Sequence, residues 1–257
     1  RMPPIRPEFT VASSPDQLYT DLRDYLQEIV DESFKHPGFF AMGVSGGSMP
    51  KVLAVVLPQL QRIDWRRVKL FMVDERMVPH HSSDSNYGAY LAALPKELHP
   101  CLIPVEMHEI PYRQDKNAFP FDVGRTALQY EQTVKLACGP EVIGRVPRFD
   151  VILLGIGPDG HTASIFPNGR LWKVRGMDTH SWVMGVEDSP KPPPRRVTIT
   201  LPVINAAKHV AFIATGEDKA PAIKSIHDRD LSVPAANVRP QYGTLRFFLD
   251  SAAASKL

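Results

Sequence analysis

A chain of 257 residues is long enough to bury a substantial core and sits at the upper end of what one domain holds. Its 30 basic and 28 acidic residues leave a formal charge of +2, which excludes the basic excess of a nucleic-acid groove. No stretch reaches the ~20 apolar residues of a membrane span, and no secretory signal opens the chain. The two cysteines, Cys101 and Cys138, make neither a disulfide framework nor a zinc spacing, which suits a reducing compartment.

Leu18, Leu22, Tyr25, Leu26, Ile29 and Val30 recur at helical spacing, with Pro15 and Asp16 as a start signal. Residues 39–44 predict a buried strand, Gly46-Gly47-Ser48 turns the chain, and Pro50 suits the first turn of a helix through Val52, Val55 and Val56. A second strand is predicted over 68–73, ending at Asp74-Glu75-Arg76. Residues 121–138 read as a helix with Tyr130 and Val134 four apart. An apolar strand over 149–154 runs into a loop of glycines, Asp159 and His161, followed by a helical-looking Thr162 to Phe166. Strands over 182–186, 196–201 and 209–215 follow, then a helix over 217–227. Strands alternating with helices predict an α/β fold, an open, mostly parallel sheet with helices on both faces. The 25 prolines concentrate in loops such as 190–194 and in first turns of helices. No repeat or linker divides residues 1–257, which read as one domain.

Four strand ends carry polar residues, at 45–48, 74–76, 157–161 and 216–219. Ligands of open α/β sheets sit at the carboxyl ends of the strands, so parallel strands would gather these loops into one pocket. Ser45-Gly46-Gly47-Ser48 reads either as a phosphate site of backbone N–H groups and helix dipole or as a plain N-cap. It lacks the Gly-Lys-Ser/Thr ending of a nucleotide loop, which favours a sugar phosphate over ATP. Lys219 opens a helix, where a cation suits the dipole only with an anion between them. Arg196 can offer a bidentate fork to phosphate, with Arg195 facing the other way along the strand. His161 offers an imidazole, a group whose ordinary pKa of about 6.5 lets it accept a proton at neutral pH. Asp159 either orients that imidazole or forms the turn. Arg76 serves either a carbonyl oxygen gaining charge or a phosphate, with Asp74 pairing with it or orienting it. Lys191, in a loop stiffened by prolines, reads as a pocket cation or as a solvated lysine. His80 and His81 have no ligand spacing, and no metal is expected.

The run Gly157-Pro158-Asp159-Gly160-His161-Thr162-Ala163-Ser164-Ile165-Phe166-Pro167 closely resembles the signature of 6-phosphogluconolactonases. Ser45-Gly46-Gly47-Ser48-Met49-Pro50, Asp74-Glu75-Arg76-Met77-Val78-Pro79, Ser85-Asn86-Tyr87, residues 189–198 and residues 214–220 resemble the same family, in its order. The resemblance implies hydrolysis of 6-phospho-D-glucono-1,5-lactone in the oxidative pentose phosphate pathway, with His161 as the base. It implies that Ser45, Gly46, Gly47, Ser48, Arg196 and Lys219 hold the phosphate. Cofactor, metal, nucleic acid and membrane have no part in this expectation, and no obligate protein partner is indicated. Cytosol is the expected compartment, and Ser255-Lys256-Leu257 spells a peroxisomal import tripeptide that adds a peroxisomal fraction.

Amino-sugar phosphate isomerases and deaminases resemble the chain in two loops but continue Gly-His with Ile-Ala-Phe-Asn-Glu, so the acidic residue is missing here. A non-catalytic sugar-phosphate sensor would keep the phosphate ligands and could lose the base. The start at Arg1 also allows a processed chain or an excised domain of a dehydrogenase–lactonase fusion, although no dinucleotide fingerprint is present.

Overall fold

The computed structural model describes residues 5–137, 142–143, 146–173 and 180–257. Cys138, at the end of one predicted helix, lies outside them. The chain opens with β1 (Glu8–Ala12) and α1 (Pro15–Ser33). Ser14 caps α1 by accepting from the Gln17 N–H, and the six predicted apolar residues of α1 are buried. Next come β2 (Phe40–Val44), α2 (Met49–Val56), β3 (Val68–Met72), β4 (Asp74–Arg76), α3 (Asn86–Ala93) and β5 (Leu102–Ile103). Then α4 (Val123–Ala137) precedes a small ribbon of β6 (Val142–Ile143) and β7 (Val146–Pro147), and β8 (Val151–Leu154). The remainder is α5 (Arg170–Lys173), β9 (Val183–Val186), β10 (Arg196–Ile199), α6 (Leu201–Ala206), β11 (His209–Ala214), α7 (Ala220–His227) and β12 (Thr244–Asp250).

Seven strands form a sheet in the order β1-β12-β11-β8-β2-β3-β5, and each neighbouring pair is parallel. Every residue of β2 and of β8 is buried, so the centre of the sheet is covered on both faces, as its continuous apolar runs require. The expected α/β architecture is therefore present.

Three details depart from the sequence expectation. The strand predicted over 68–73 does not simply end at Asp74-Glu75-Arg76. Val73 donates its N–H to Val44 of β2, and its carbonyl accepts from Ile199 of β10. The chain there passes from the parallel sheet into a second, antiparallel sheet ordered β4-β10-β9. Residues 196–199 of the strand predicted over 196–201 belong to that second, antiparallel sheet and are buried throughout. Thr162 to Phe166 is a turn, not a helix. Ala163 is left-handed at φ 49°, the Thr162 hydroxyl donates to the Gly155 carbonyl, and the Ser164 hydroxyl donates to Asp74. Hydroxyls that find such partners compete with helix formation.

Candidate active site

Because β2, β8 and β11 are parallel neighbours, the loops after them emerge at one edge of the sheet, where they meet β4 and β10. They enclose a cavity of about 310 Å³. Ser45, Gly46, Gly47, Ser48, Asp74, Arg76, His161, Lys191, Arg196 and Lys219 all line it. Asp159 does not; it stands behind His161.

The imidazole is the most tightly defined group. Its Nδ1 lies 2.5 Å from Asp159 Oδ1, which also accepts the His161 backbone N–H at 3.1 Å. A carboxylate only accepts, so Nδ1 carries the proton and the lone pair is on Nε2. The ring lies 4.5 Å from the Phe166 ring, and its side chain is 16% exposed. Burial holds its pKa below the ordinary histidine value, helped by the Lys191 charge and opposed by Asp159. Burial pushes Asp159 up, but its bonds to His161 win and hold it below the usual carboxylate range. Two glycines make the loop possible. A Cβ on Gly157 would lie 2.0 Å from His161 Nδ1, and Gly160, at φ +82°, backs onto Val233.

Asp74 does not pair with Arg76. Its Oδ2 accepts from the Ser164 hydroxyl at 2.5 Å and lies 4.0 Å from Arg196 Nη1. The turn at 162–166 is what carries Ser164 there. Arg196, 3% exposed, is not a free fork either. Its Nε donates to Pro193 O, and its Nη2 donates to Lys191 O and Pro192 O, tying down the proline-rich loop that carries Lys191. Arg195 points elsewhere, as the strand alternation requires, and lies over Phe119.

Arg76 is anchored through Nη1 to the Asp84 carbonyl, and the neighbouring residue holds its backbone. Glu75 is fully buried and accepts the N–H groups of Arg76, Asn86 and Tyr87, each at 2.8 Å. Burial pushes its carboxyl up, against the pull of those three donors. These contacts fasten the start of α3, whose side chains then shape the glycine loop. Asn86 packs where a Gly46 Cβ would be (2.1 Å to Oδ1) and donates to Asp74 O, and the Tyr90 hydroxyl donates to Ser45 O at 2.6 Å. Glu75, Asn86 and Tyr90 received no role from sequence reasoning. The matched runs Asp74-Glu75-Arg76 and Ser85-Asn86-Tyr87 contain Glu75 and Asn86 without giving them a task, and Tyr90 lies outside both.

The Ser45 hydroxyl is committed to the sheet, donating to Leu153 O and accepting from Gly155 N–H. Ser48 sits at the start of α2 without a side-chain cap bond, and Gly47 is left-handed at φ +65°. Lys219 ends a short turn directly before α7, with Nζ 3.7 Å from Asp218. Arg76, Lys191, Arg196 and Lys219 thus face one lining carboxylate, Asp74, so the cavity attracts anions. His80 Nε2 is bonded to the Val105 carbonyl, and no group of three His, Cys, Asp or Glu among the described residues could hold a metal ion. No helix among them is long and apolar enough to cross a membrane.

Fold and cavity together define an α/β protein with a cation-lined cavity beside a carboxylate-oriented imidazole. The chain belongs to the family of glucosamine-6-phosphate isomerases and 6-phosphogluconolactonases, whose model matches residues 13–247. A Caenorhabditis elegans relative is 40% identical over 255 residues, covering 98% of this chain and 89% of its own. The 6-phosphogluconolactonase of Rattus norvegicus is 39% identical over 255 residues, covering 96% and 93%. Among solved structures, the 6-phosphogluconolactonase of Trypanosoma brucei matches with a TM-score of 0.76 and 29% identity, over 98% of this chain and 99% of that one.

Proposed function

We propose that this chain hydrolyses 6-phospho-D-glucono-1,5-lactone to 6-phospho-D-gluconate. One observation carries the reading: an imidazole with its Nε2 lone pair held ready shares a cavity with four cations. The activity named for the rat relative supports the choice of lactone. Backbone N–H groups of residues 45–48, with Lys219 and Arg196 Nη1, hold the phosphate, and Asp74 keeps Arg196 in place. A water loses its proton to His161 Nε2 as its oxygen attacks the lactone carbonyl carbon. Arg76 stabilises the carbonyl oxygen as it gains charge. The carbonyl then re-forms, the bond from carbon to ring oxygen breaks, and the imidazolium returns its proton to that oxygen. The products are a free hydroxyl and a carboxylic acid, which gives the water's second proton to solvent and leaves as the carboxylate. Phosphate contacts supply remote binding energy, so the unphosphorylated lactone is a poor substrate.

The test is disappearance of freshly generated 6-phosphogluconolactone, corrected for its spontaneous opening. Clear acceleration is expected, with no ammonia released from glucosamine 6-phosphate; an uncorrected rate equal to the blank ends the proposal.

The base works as the neutral imidazole, so kcat/KM falls on the acid side as His161 takes a proton. Asp159 raises the proton affinity of His161 and Lys191 lowers it. Asp159→Asn should therefore move the acid limb to lower pH and Lys191→Ala should move it to higher pH. Rate profiles between pH 5 and 8 read both, and limbs moving the same way would contradict the assignment. Gly157→Ala should push the ring off its position. A misplacement of this kind costs on the order of 100-fold in rate, read as kcat, with the thermal midpoint as the control for folding.

A further inference from the structure

A second cavity, about 220 Å³, lies between the start of β1, the end of α7 and the start of β12. Phe9, Ile226 and Leu245 give it an apolar floor, and His227, Arg229 and Arg239 supply its charge. Among the described residues no carboxylate lines it. His227 and Lys224 share Asp228, whereas Arg229 and Arg239 have no ion-pair partner among the described residues.

Arg229 occupies an unusual position. It follows α7 with φ +59°, where glycine is ordinarily favoured. Its N–H donates to Ile226 O and the Asp230 N–H donates to Ser225 O, so the backbone itself satisfies carbonyls at the end of the helix. An arginine is not needed there for capping, and it bears left-handed strain that glycine would avoid. It also stands near a like charge: burial, and then Arg229, hold the Arg239 guanidinium below its ordinary value. Arg239 Nε donates to Ala236 O, and the remaining N–H groups of the two guanidiniums, beside an apolar floor and without an ion-pair partner among the described residues, suit an anion with an apolar part.

We propose that this cavity is a second ligand site, for a small organic anion whose phosphate or carboxylate meets Arg229 and Arg239 while its apolar portion rests on Phe9. It is separate from the first cavity. The eight residues of α7, about 12 Å end to end, run from beside Lys219 to His227. The proposal does not depend on the lactone reaction.

Phenyl phosphate is the probe, and the ring C–H signals of His227 in NMR spectra of the intact chain are the readout; His161 signals report the first cavity separately. The His227 signals should shift saturably with phenyl phosphate and not with phenol. Arg229→Gly should raise the thermal midpoint by relieving the strained φ, yet weaken phenyl phosphate binding at least tenfold. Arg239→Gln should weaken it similarly. His227 signals that stay fixed, that respond equally to phenol, or that titrate unchanged in Arg229→Gly would overturn the proposal.

Discussion

His161→Ala is expected to lower kcat by about 10²–10⁴-fold, the usual contribution of a positioned base, while 6-phosphogluconate still binds within a few-fold of its original affinity. The two halves of that expectation have separate structural origins. Proton transfer belongs to Nε2, whose lone pair exists because Asp159 occupies Nδ1. In the proposed reaction anion binding falls to residues 45–48, Lys219 and Arg196, none of which hydrogen-bonds the imidazole. The loop itself should survive the substitution, because Gly157 N–H bonds the His161 carbonyl and Gly160 N–H bonds Gly157, both through the backbone. Initial rates on fresh lactone and calorimetry with 6-phosphogluconate separate the effects. A loss under tenfold would assign the base elsewhere. A variant that binds product and turns over nothing, matched by an equally inactive intact chain, would point instead to a sensor.

What the sequence shows and what it hides divide along contact range. The strand-end loops at 45–48 and 216–219 are legible because glycine, a preceding apolar run and a following helix start are local signals, and the loop at 157–161 through its glycines and preceding apolar run alone. The same holds for α1, whose six buried residues keep helical spacing. Asp74 is misassigned to Arg76 because the two are sequence neighbours, whereas its partner Ser164 is 90 positions away. The turn at 162–166 looks helical for a related reason. Its hydroxyls leave the local ladder for Gly155 and Asp74, partners that no periodicity can register. Strands β1 and β12 pass unnoticed as well. In β12, Phe247, Phe248 and Leu249 are all buried between β11 and β1, so a central parallel strand loses the alternation that would announce it.

Glu75→Ala should be the most destabilising single change at the site, although Glu75 does not itself line the cavity. Its carboxylate is 0% exposed and takes three backbone N–H groups at 2.8 Å, two of them from the first residues of α3. A negative charge at a helix start is favourable both for the dipole and for the unsatisfied N–H groups there. Removing it orphans three amides together, at roughly 1–3 kcal/mol for each that stays dry. The expected total is about 3–5 kcal/mol, some of it recovered where water enters. For a chain of this size, that corresponds to a drop of roughly 10 °C in the thermal midpoint. Glu75→Gln keeps an acceptor oxygen and should lose less than half as much. Function should fall with the helix. Asn86 and Tyr90 ride on α3, and they brace Gly46 and the Ser45 carbonyl of the anion loop. KM should therefore rise more than kcat falls, the reverse of His161→Ala, because the imidazole loop hangs from β8 and has no contact with Glu75. Scanning calorimetry with steady-state kinetics reads both quantities. A Glu75→Ala chain melting within 2 °C of the original would mean that α3 is held by its apolar face alone.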